Sequence, residues 1–262
     1  MSKTKLIVAT HKTYQMPRFE SYLPLHVGAA GKDSIGYERD DSGDNISAKN
    51  PYYCELTGLY WAWKNLDADY IGLVHYRRYF TLKSAAFRRS HDLFDCVLSD
   101  EEIAALTAEH DIIVPKKRKY YIETMYSHYE HTMYVEPLDI TREVIAEQFP
   151  EYLPHFDKHM KERSGHMFNM FIMKKELLND YCEWVFKLLA EVESRTNASA
   201  YDAFHARFYG RLSELMLDVW LAKNGYSAKE VPVMSMEKVN WFKKGGAFLL
   251  AKFTGKKYGK SF

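Results

Sequence analysis

One run of residues, Asp69-Tyr70-Ile71-Gly72-Leu73-Val74-His75-Tyr76-Arg77-Arg78-Tyr79-Phe80, constrains this chain more than any other. Residues 70–74 form a short apolar stretch rich in β-formers, the pattern of a strand covered on both faces. His75, Arg77 and Arg78 then arrive at its carboxyl end. In open α/β sheets, ligands bind just past the carboxyl ends of the strands. Two guanidiniums there are costly unless something anionic satisfies them, and a phosphate or pyrophosphate is the natural anion. Ion pairs with carboxylates are the plain structural alternative, and the residues alone leave both open.

The flanking segments alternate strand and helix, an α/β order. Residues 5–9 (Lys-Leu-Ile-Val-Ala) read as a first buried strand followed by Thr10, His11 and Lys12. In a Rossmann-like sheet that position meets a nucleotide, although a polar turn explains it equally. Residues 22–27 read as a second strand, interrupted by Pro24. The Gly-, Asp- and Ser-rich loop 28–44 lacks Gly-x-Gly-x-x-Gly and any P-loop Gly-Lys-Ser/Thr, so dinucleotide and ATP-loop readings fail. Asp40, Asp41 and Asp44 lack the alternating oxygen ligands of an EF-hand. Asp44, Asn45, Ser47 and Asn50 either line a pocket beside the first strand or belong to a solvated loop. Residues 51–65 read as one helix, with Asn50 as N-cap and Pro51 at the first position. Glu55 near its start is explained by the helix dipole.

Residues 100–110 predict a short helix and 111–115 a strand stopped by Pro115. If that strand runs parallel to 70–74, the run Lys116-Lys117-Arg118-Lys119 shares an edge with His75 to Arg78 and faces an anion; otherwise it is a solvated charge cluster. Residues 120–134 are rich in Tyr and His, including Tyr126 and His128, and suit a lid with sugar-stacking rings. His128 and His131 share a helical face, but no third metal ligand sits at a matching spacing. A helix begins near Asp139 or Thr141, with breaks expected at Pro150 and Pro154. Residues 170–173 read as another strand, with Gly165, His166 and Asn169 at its entrance. Asn169 can donate to and accept from sugar hydroxyls, or serve as a turn residue. Helices follow over 174–193 and 206–224, the latter closed by Gly225, and a last strand over 226–233. Glu214 lies among apolar neighbours. It is a base or acceptor-binding group with a raised pKa unless a cation such as Arg211 pairs with it.

Composition narrows the function classes. A net charge of +1 argues against a surface built for nucleic acid. Twenty Tyr, 15 Phe and five Trp favour a carbohydrate or nucleotide ligand. Three scattered cysteines form no Cys-x-x-Cys, so neither a disulfide framework nor a zinc site is indicated, and the reducing cytosol fits best. No signal peptide and no membrane-spanning run are expected. The tail from Lys238 to Phe262 carries seven lysines and no acidic residue, interleaved with Trp241, Phe242, Phe248, Phe253, Tyr258 and Phe262. That mixture predicts contact with an anionic membrane surface. A globular domain over 1–235 and a basic aromatic tail over 236–262 are therefore expected.

With these stretches in view, the chain resembles the small bacterial capsule and exopolysaccharide glycosyltransferases long catalogued as a domain of unknown function. The residues that carry the resemblance are Thr10-His11-Lys12, His26-Val27-Gly28-Ala29, Asp44-Asn45-Ile46-Ser47, the segment from Tyr53 to Asn65, Gly72 to Phe80, and Gly165 to Met173. The resemblance implies a GT-A-like, Rossmann-type mixed sheet flanked by helices. It also implies transfer of a sugar, galactofuranose or galactose by preference, from a UDP-sugar donor to a lipid-linked or oligosaccharide acceptor. GT-A enzymes usually hold a metal with Asp-x-Asp at the end of a central strand; here His75-Tyr76-Arg77-Arg78 stands there, which puts a metal requirement in doubt and leaves His75 as the one residue that could contribute to a metal site. By the same analogy Thr10, His11, Lys12, Asp44, Asn45, Arg77 and Arg78 bind the donor. His166, Asn169, Tyr126 and His128 meet sugar or acceptor, and Glu214 with His75 is catalytic. The protein would sit at the cytoplasmic face of the membrane, held through its tail. A non-catalytic nucleotide-sugar or carbohydrate-binding module and a sugar-phosphate hydrolase or phosphotransferase are the competing classes.

Overall fold

The computed structural model describes residues 2–237; the expected membrane-binding tail lies outside the described residues. Eleven strands occur among them: β1 (Thr4–Thr10), β2 (Tyr22–His26), β3 (Glu38–Arg39), β4 (Tyr70–His75), β5 (Arg78–Phe80), β6 (Ile112–Pro115), β7 (Arg118–Lys119), β8 (Ser164–Gly165), β9 (Phe171–Lys174), β10 (Lys229–Val231) and β11 (Val233–Ser235). The helices are α1 (Asn50–Tyr53), α2 (Leu56–Asn65), α3 (Ala85–Ser90), α4 (Asp100–Glu109), α5 (Met125–Thr132), α6 (Glu136–Gln148), α7 (Leu153–Lys161), α8 (Lys175–Arg195) and α9 (Phe208–Asn224).

Along β1, side chains alternate between the two faces of the sheet. Ile7 and Ala9 join the core formed with α2 and α6 to α9, while Leu6 and Val8 join a second core with Tyr79, Phe80 and Ile103. Both faces are thus covered, which is why the strand reads as an unbroken apolar run. The sheet has the order β10-β6-β9-β4-β1-β2-β3, with β5 and β11 appended beside β4. β1, β2 and β4 are mutually parallel, and β9 is antiparallel to both β4 and β6. β6 therefore runs in the same direction as β4, and the basic run after it shares the carboxyl edge with His75 to Arg78. β7 and β8 form a separate two-stranded ribbon.

Three expectations change. The periodic stretch 51–65 is two helices, because Cys54 adopts a left-handed backbone (φ 54°) between α1 and α2. Asn50 is the first helical residue rather than the cap, and its side-chain amide donates to Cys54 O (2.7 Å) and Thr57 Oγ1 (3.1 Å). The helix expected from Asp139 or Thr141 starts earlier, at Glu136, with Pro137 in its first turn where the missing N–H is harmless. The long last strand is two short ones split by Pro232. Elsewhere the chain follows local chemistry. Ser99 and Glu102 build a capping box at α4, and Gly225 ends α9 in the left-handed conformation (φ 68°) that glycine adopts without strain. No helix among the described residues is long and apolar enough to cross a membrane.

Candidate active site

A cavity of about 710 Å³ opens at the carboxyl edge of the sheet. Thr10 and His11 enter it from the end of β1, and His75, Arg77 and Arg78 from the end of β4. Arg118, just past β6, joins from the same edge, while Arg207, Arg211 and Glu214 come from α9 and the residue that precedes it. Glu55, at the kink between α1 and α2, completes the charged lining. Five arginines thus face one cavity against two glutamates. Such an excess of guanidiniums has the charge and the donor geometry that suit a multiply charged anion.

The two carboxylates are held by one strained turn. Phe168 (φ 80°) and Asn169 (φ 53°) both occupy the left-handed region, which non-glycine residues rarely do. The Phe168 amide donates to Glu214 Oε2 (3.3 Å), and its ring lies under the Arg78 guanidinium, 4.6 Å from the ring centre. His75 Nε2 lies 2.6 Å from the Phe168 carbonyl oxygen. A carbonyl only accepts, so Nε2 carries the proton. Asn169 donates to Glu55 Oε1 (2.8 Å) and to the Gly210 carbonyl (3.0 Å).

Arg211 Nη1 pairs with Glu214 Oε1 at 3.0 Å, the cation partner foreseen for that buried carboxylate. Burial alone would raise the Glu55 carboxyl, but neighbouring His75, the Asn169 amide and Arg211 outweigh it and hold Glu55 below the usual carboxylate range. Burial lowers Arg78 from its ordinary value; Glu214 opposes this, and Arg77 and Arg211 add to it. Burial, then Lys12 and Arg77, push His11 down.

Of the remaining candidates, Arg77 and His128 belong to the cavity lining, and Lys12, Asp44, Asn45, Tyr126 and His166 do not. Lys12 packs near the rings of Tyr14 and Tyr76 (5.6 and 5.3 Å), and its amide donates to Thr10 Oγ1 (3.3 Å). Arg77 lines the cavity rim but also pairs with Glu237 at 3.2 Å in an exposed contact. Asp44 accepts from the Tyr60 hydroxyl (3.2 Å), and Asn45 closes a turn between Gly43 O and Ser47 N. Asp40 is the aspartate of that loop that the fold buries. Tyr126 donates to Asp139 (3.0 Å). His128 lines the cavity, but Nδ1 of His128 and of His131 both meet the buried carboxylate of Glu123, at 2.8 and 2.7 Å, so the pair clasps a glutamate. His166 lies behind the site. Its amide donates to Asp218 (2.8 Å), and its ring sits between Asp218 (2.5 Å) and Glu230 (3.3 Å). Among the described residues, no group of three or more His, Cys, Asp or Glu is placed to hold a metal ion.

Sequence reasoning passed over Glu55, Arg207 and Arg211 as site residues, and met Arg118 only as one member of a basic run facing an anion at the sheet edge. One signal was present: Arg207, Arg211 and Glu214 recur at the spacing of one helical face.

The fold has a solved counterpart. The apo structure of WbbM, a bifunctional glycosyltransferase, is similar over 90% of this chain with a TM-score of 0.81 and 29% sequence identity. The chain spans about half of that protein, 46% of its length. No curated protein matches. The mixed sheet with its flanking helices is thus the GT-A-like α/β fold. A family model matches residues 5–225, nearly the whole of the described structure, and by that match the chain belongs to the family described as a domain of unknown function, DUF4422.

Proposed function

We propose that the chain is a glycosyltransferase that moves a sugar from a UDP-sugar to a saccharide acceptor. The observation that carries this is the convergence of Arg77, Arg78, Arg118, Arg207 and Arg211 on one cavity that also holds Glu55 and Glu214. Cleaving a sugar–diphosphate bond leaves charge on the departing phosphate oxygen. Preorganised guanidiniums in a partly dry site stabilise that charge more in the transition state than in the ground state. A carboxylate beside them takes the proton of the attacking hydroxyl. Thr10 and His11 stand where the nucleotide enters, at the end of β1. The family likeness and the WbbM counterpart support a transferase over a binding module. Galactose or galactofuranose is the donor sugar we favour, in assembly of a capsule or exopolysaccharide.

The test is thermal unfolding with UDP, UMP and uridine, each with and without EDTA. A ligand at a hundredfold its Kd stabilises by about 2.7 kcal/mol. For a chain of this size that is a rise in Tm of about 5–10 °C. UDP should give the full rise, UMP less and uridine almost none, and EDTA should leave the order unchanged. Equal responses to UDP and uridine would sink the arginine–diphosphate reading.

A lipid-linked acceptor fits the rim. Tyr121 and Ile122 are 76% and 59% exposed beside Tyr120, which lines the cavity. Exposed Lys119 and Arg163 flank them, and the Arg163 guanidinium donates to the Tyr121 carbonyl (3.1 Å). Paired apolar and cationic groups of this kind suit the headgroup region of an anionic bilayer. Replacing both apolar residues, Tyr121→Ser with Ile122→Ser, should weaken binding to phosphatidylglycerol-rich vesicles about tenfold. Unchanged co-sedimentation would remove this loop from the membrane contact.

A further inference from the structure

We infer that Glu55, rather than Glu214, is the catalytic base that takes the proton from the acceptor hydroxyl, with Asn169 as its positioning residue. The inference rests on the transferase reading above. Both glutamates line the cavity, but their oxygens are occupied differently. Each oxygen of Glu214 already accepts a hydrogen bond, Oε1 from Arg211 and Oε2 from the Phe168 amide. Those bonds fix the α9 guanidinium and the strained 168–169 turn, so protonating Glu214 would disrupt the arginine cluster that must hold the leaving group. Glu55 accepts a side-chain hydrogen bond from Asn169 through Oε1, and its own backbone amide also favours the carboxylate, but among the described residues no side chain donates to Oε2. Oε2 of Glu55, free of side-chain donors, can meet a substrate hydroxyl.

Local chemistry keeps it ready. The charges and donors around Glu55 favour its ionised form despite burial, so the group is a carboxylate at neutral pH. The kink at Cys54 separates Glu55 from the regular turns of α2, and Asn169 reaches it from the turn before β9. In the reaction, the acceptor oxygen forms a bond to the anomeric carbon while the bond to the diphosphate oxygen breaks. That bond's electron pair leaves with UDP, and the hydroxyl proton passes to Glu55 Oε2 and later to solvent. A single displacement of this kind inverts the anomeric configuration.

The experiment compares the wild-type chain with Glu55→Gln, Glu55→Asp, Glu214→Gln and Asn169→Ala. Donors are UDP-galactose and UDP-galactofuranose, the acceptor is an octyl galactoside, and UDP affinity is read separately by calorimetry. Glu55→Gln should lower kcat by about 10²–10⁴-fold. It should bind UDP at least as tightly as wild type, because a negative charge has left the arginine cluster. Glu55→Asp keeps the charge and retains part of the turnover, which separates loss of the base from a failure to fold. Glu214→Gln should weaken UDP binding as Arg211 loses its partner. Asn169→Ala removes a donor to the ionised carboxylate, so the acid limb of the kcat profile should move to higher pH, a response that simple loosening does not produce. A Glu55→Gln variant within about threefold of wild-type kcat, or a product of retained configuration, overturns the assignment while leaving the transferase standing. Absence of transfer by the wild-type chain overturns the transferase reading and this assignment with it.

Discussion

Replacing Arg78 with alanine should lower kcat by about 10²–10³-fold while leaving the folded chain as stable as before, or more so. The two halves of that expectation come from the same geometry. The Arg78 guanidinium is partly desolvated, shares its surroundings with Arg77 and Arg211, and stacks on Phe168 at 4.6 Å. Its charge is therefore only partly compensated in the free protein. Removing it relieves repulsion within the cluster, and the fold loses a stacking contact of order 1 kcal/mol in exchange. With a nucleoside diphosphate bound, the balance reverses, since the same charge now faces an anion whose charge grows as the sugar departs.

Arg78→Lys should recover little of the turnover. An ammonium keeps the charge but neither lies flat on the Phe168 ring nor presents two parallel donors to phosphate oxygens. The measurements are kcat, UDP affinity and Tm on the same preparations. A binding module would show a loss of affinity alone, with no turnover to lose. A structural arginine would show a fall in Tm with activity intact. Either pattern would remove Arg78 from the mechanism proposed here.

How far the sequence foretold this arrangement depends on whether a residue's partners are near in the chain. β1, β4 and β9 are legible because strands covered on both faces must be apolar throughout. His75 to Arg78 are legible because charged residues directly after such a strand stand at the ligand-binding edge. Glu55 is not, because its meaning comes from Asn169, 114 positions away, through a kink that helical periodicity conceals. His128 and His131 show the opposite failure. Their spacing is right for a shared ligand, yet what they share is the buried carboxylate of Glu123, whose distance along the chain from them matches no metal-ligand spacing. The run Lys116-Lys117-Arg118-Lys119 looks uniform, but only Arg118 among the four lines the cavity.

Asp40→Ala should be the most destabilising change in the loop that precedes the site, by about 3–5 kcal/mol, or about 10 °C in Tm for a chain of this size. Asp40 is fully buried, and its carboxylate accepts four hydrogen bonds: from Gly28 N (2.8 Å), Ala29 N (3.0 Å), Thr57 Oγ1 (2.6 Å) and Ser47 Oγ. These donors come from the turn after β2, the segment before α1 and the first turn of α2, so one side chain gathers three pieces of chain that flank the cavity. Gly28 fits this clasp only as glycine, because its φ is 65° and a Cβ there would lie 2.4 Å from the Asn50 side chain. Removing the carboxylate strands two amides and two hydroxyls in a dry interior, where each unpaired donor costs about 1–3 kcal/mol less whatever relaxation recovers. Asp41, the next residue, pairs with Arg39 at 2.6 Å near the surface, and Asp41→Asn should cost only a small fraction as much. The comparison of Asp40→Ala with Asp41→Asn by thermal and denaturant unfolding isolates the clasp from general charge effects. Equal Tm values for the two variants would mean that the loop is held by its backbone turns, and that the carboxylate merely fills the space between them.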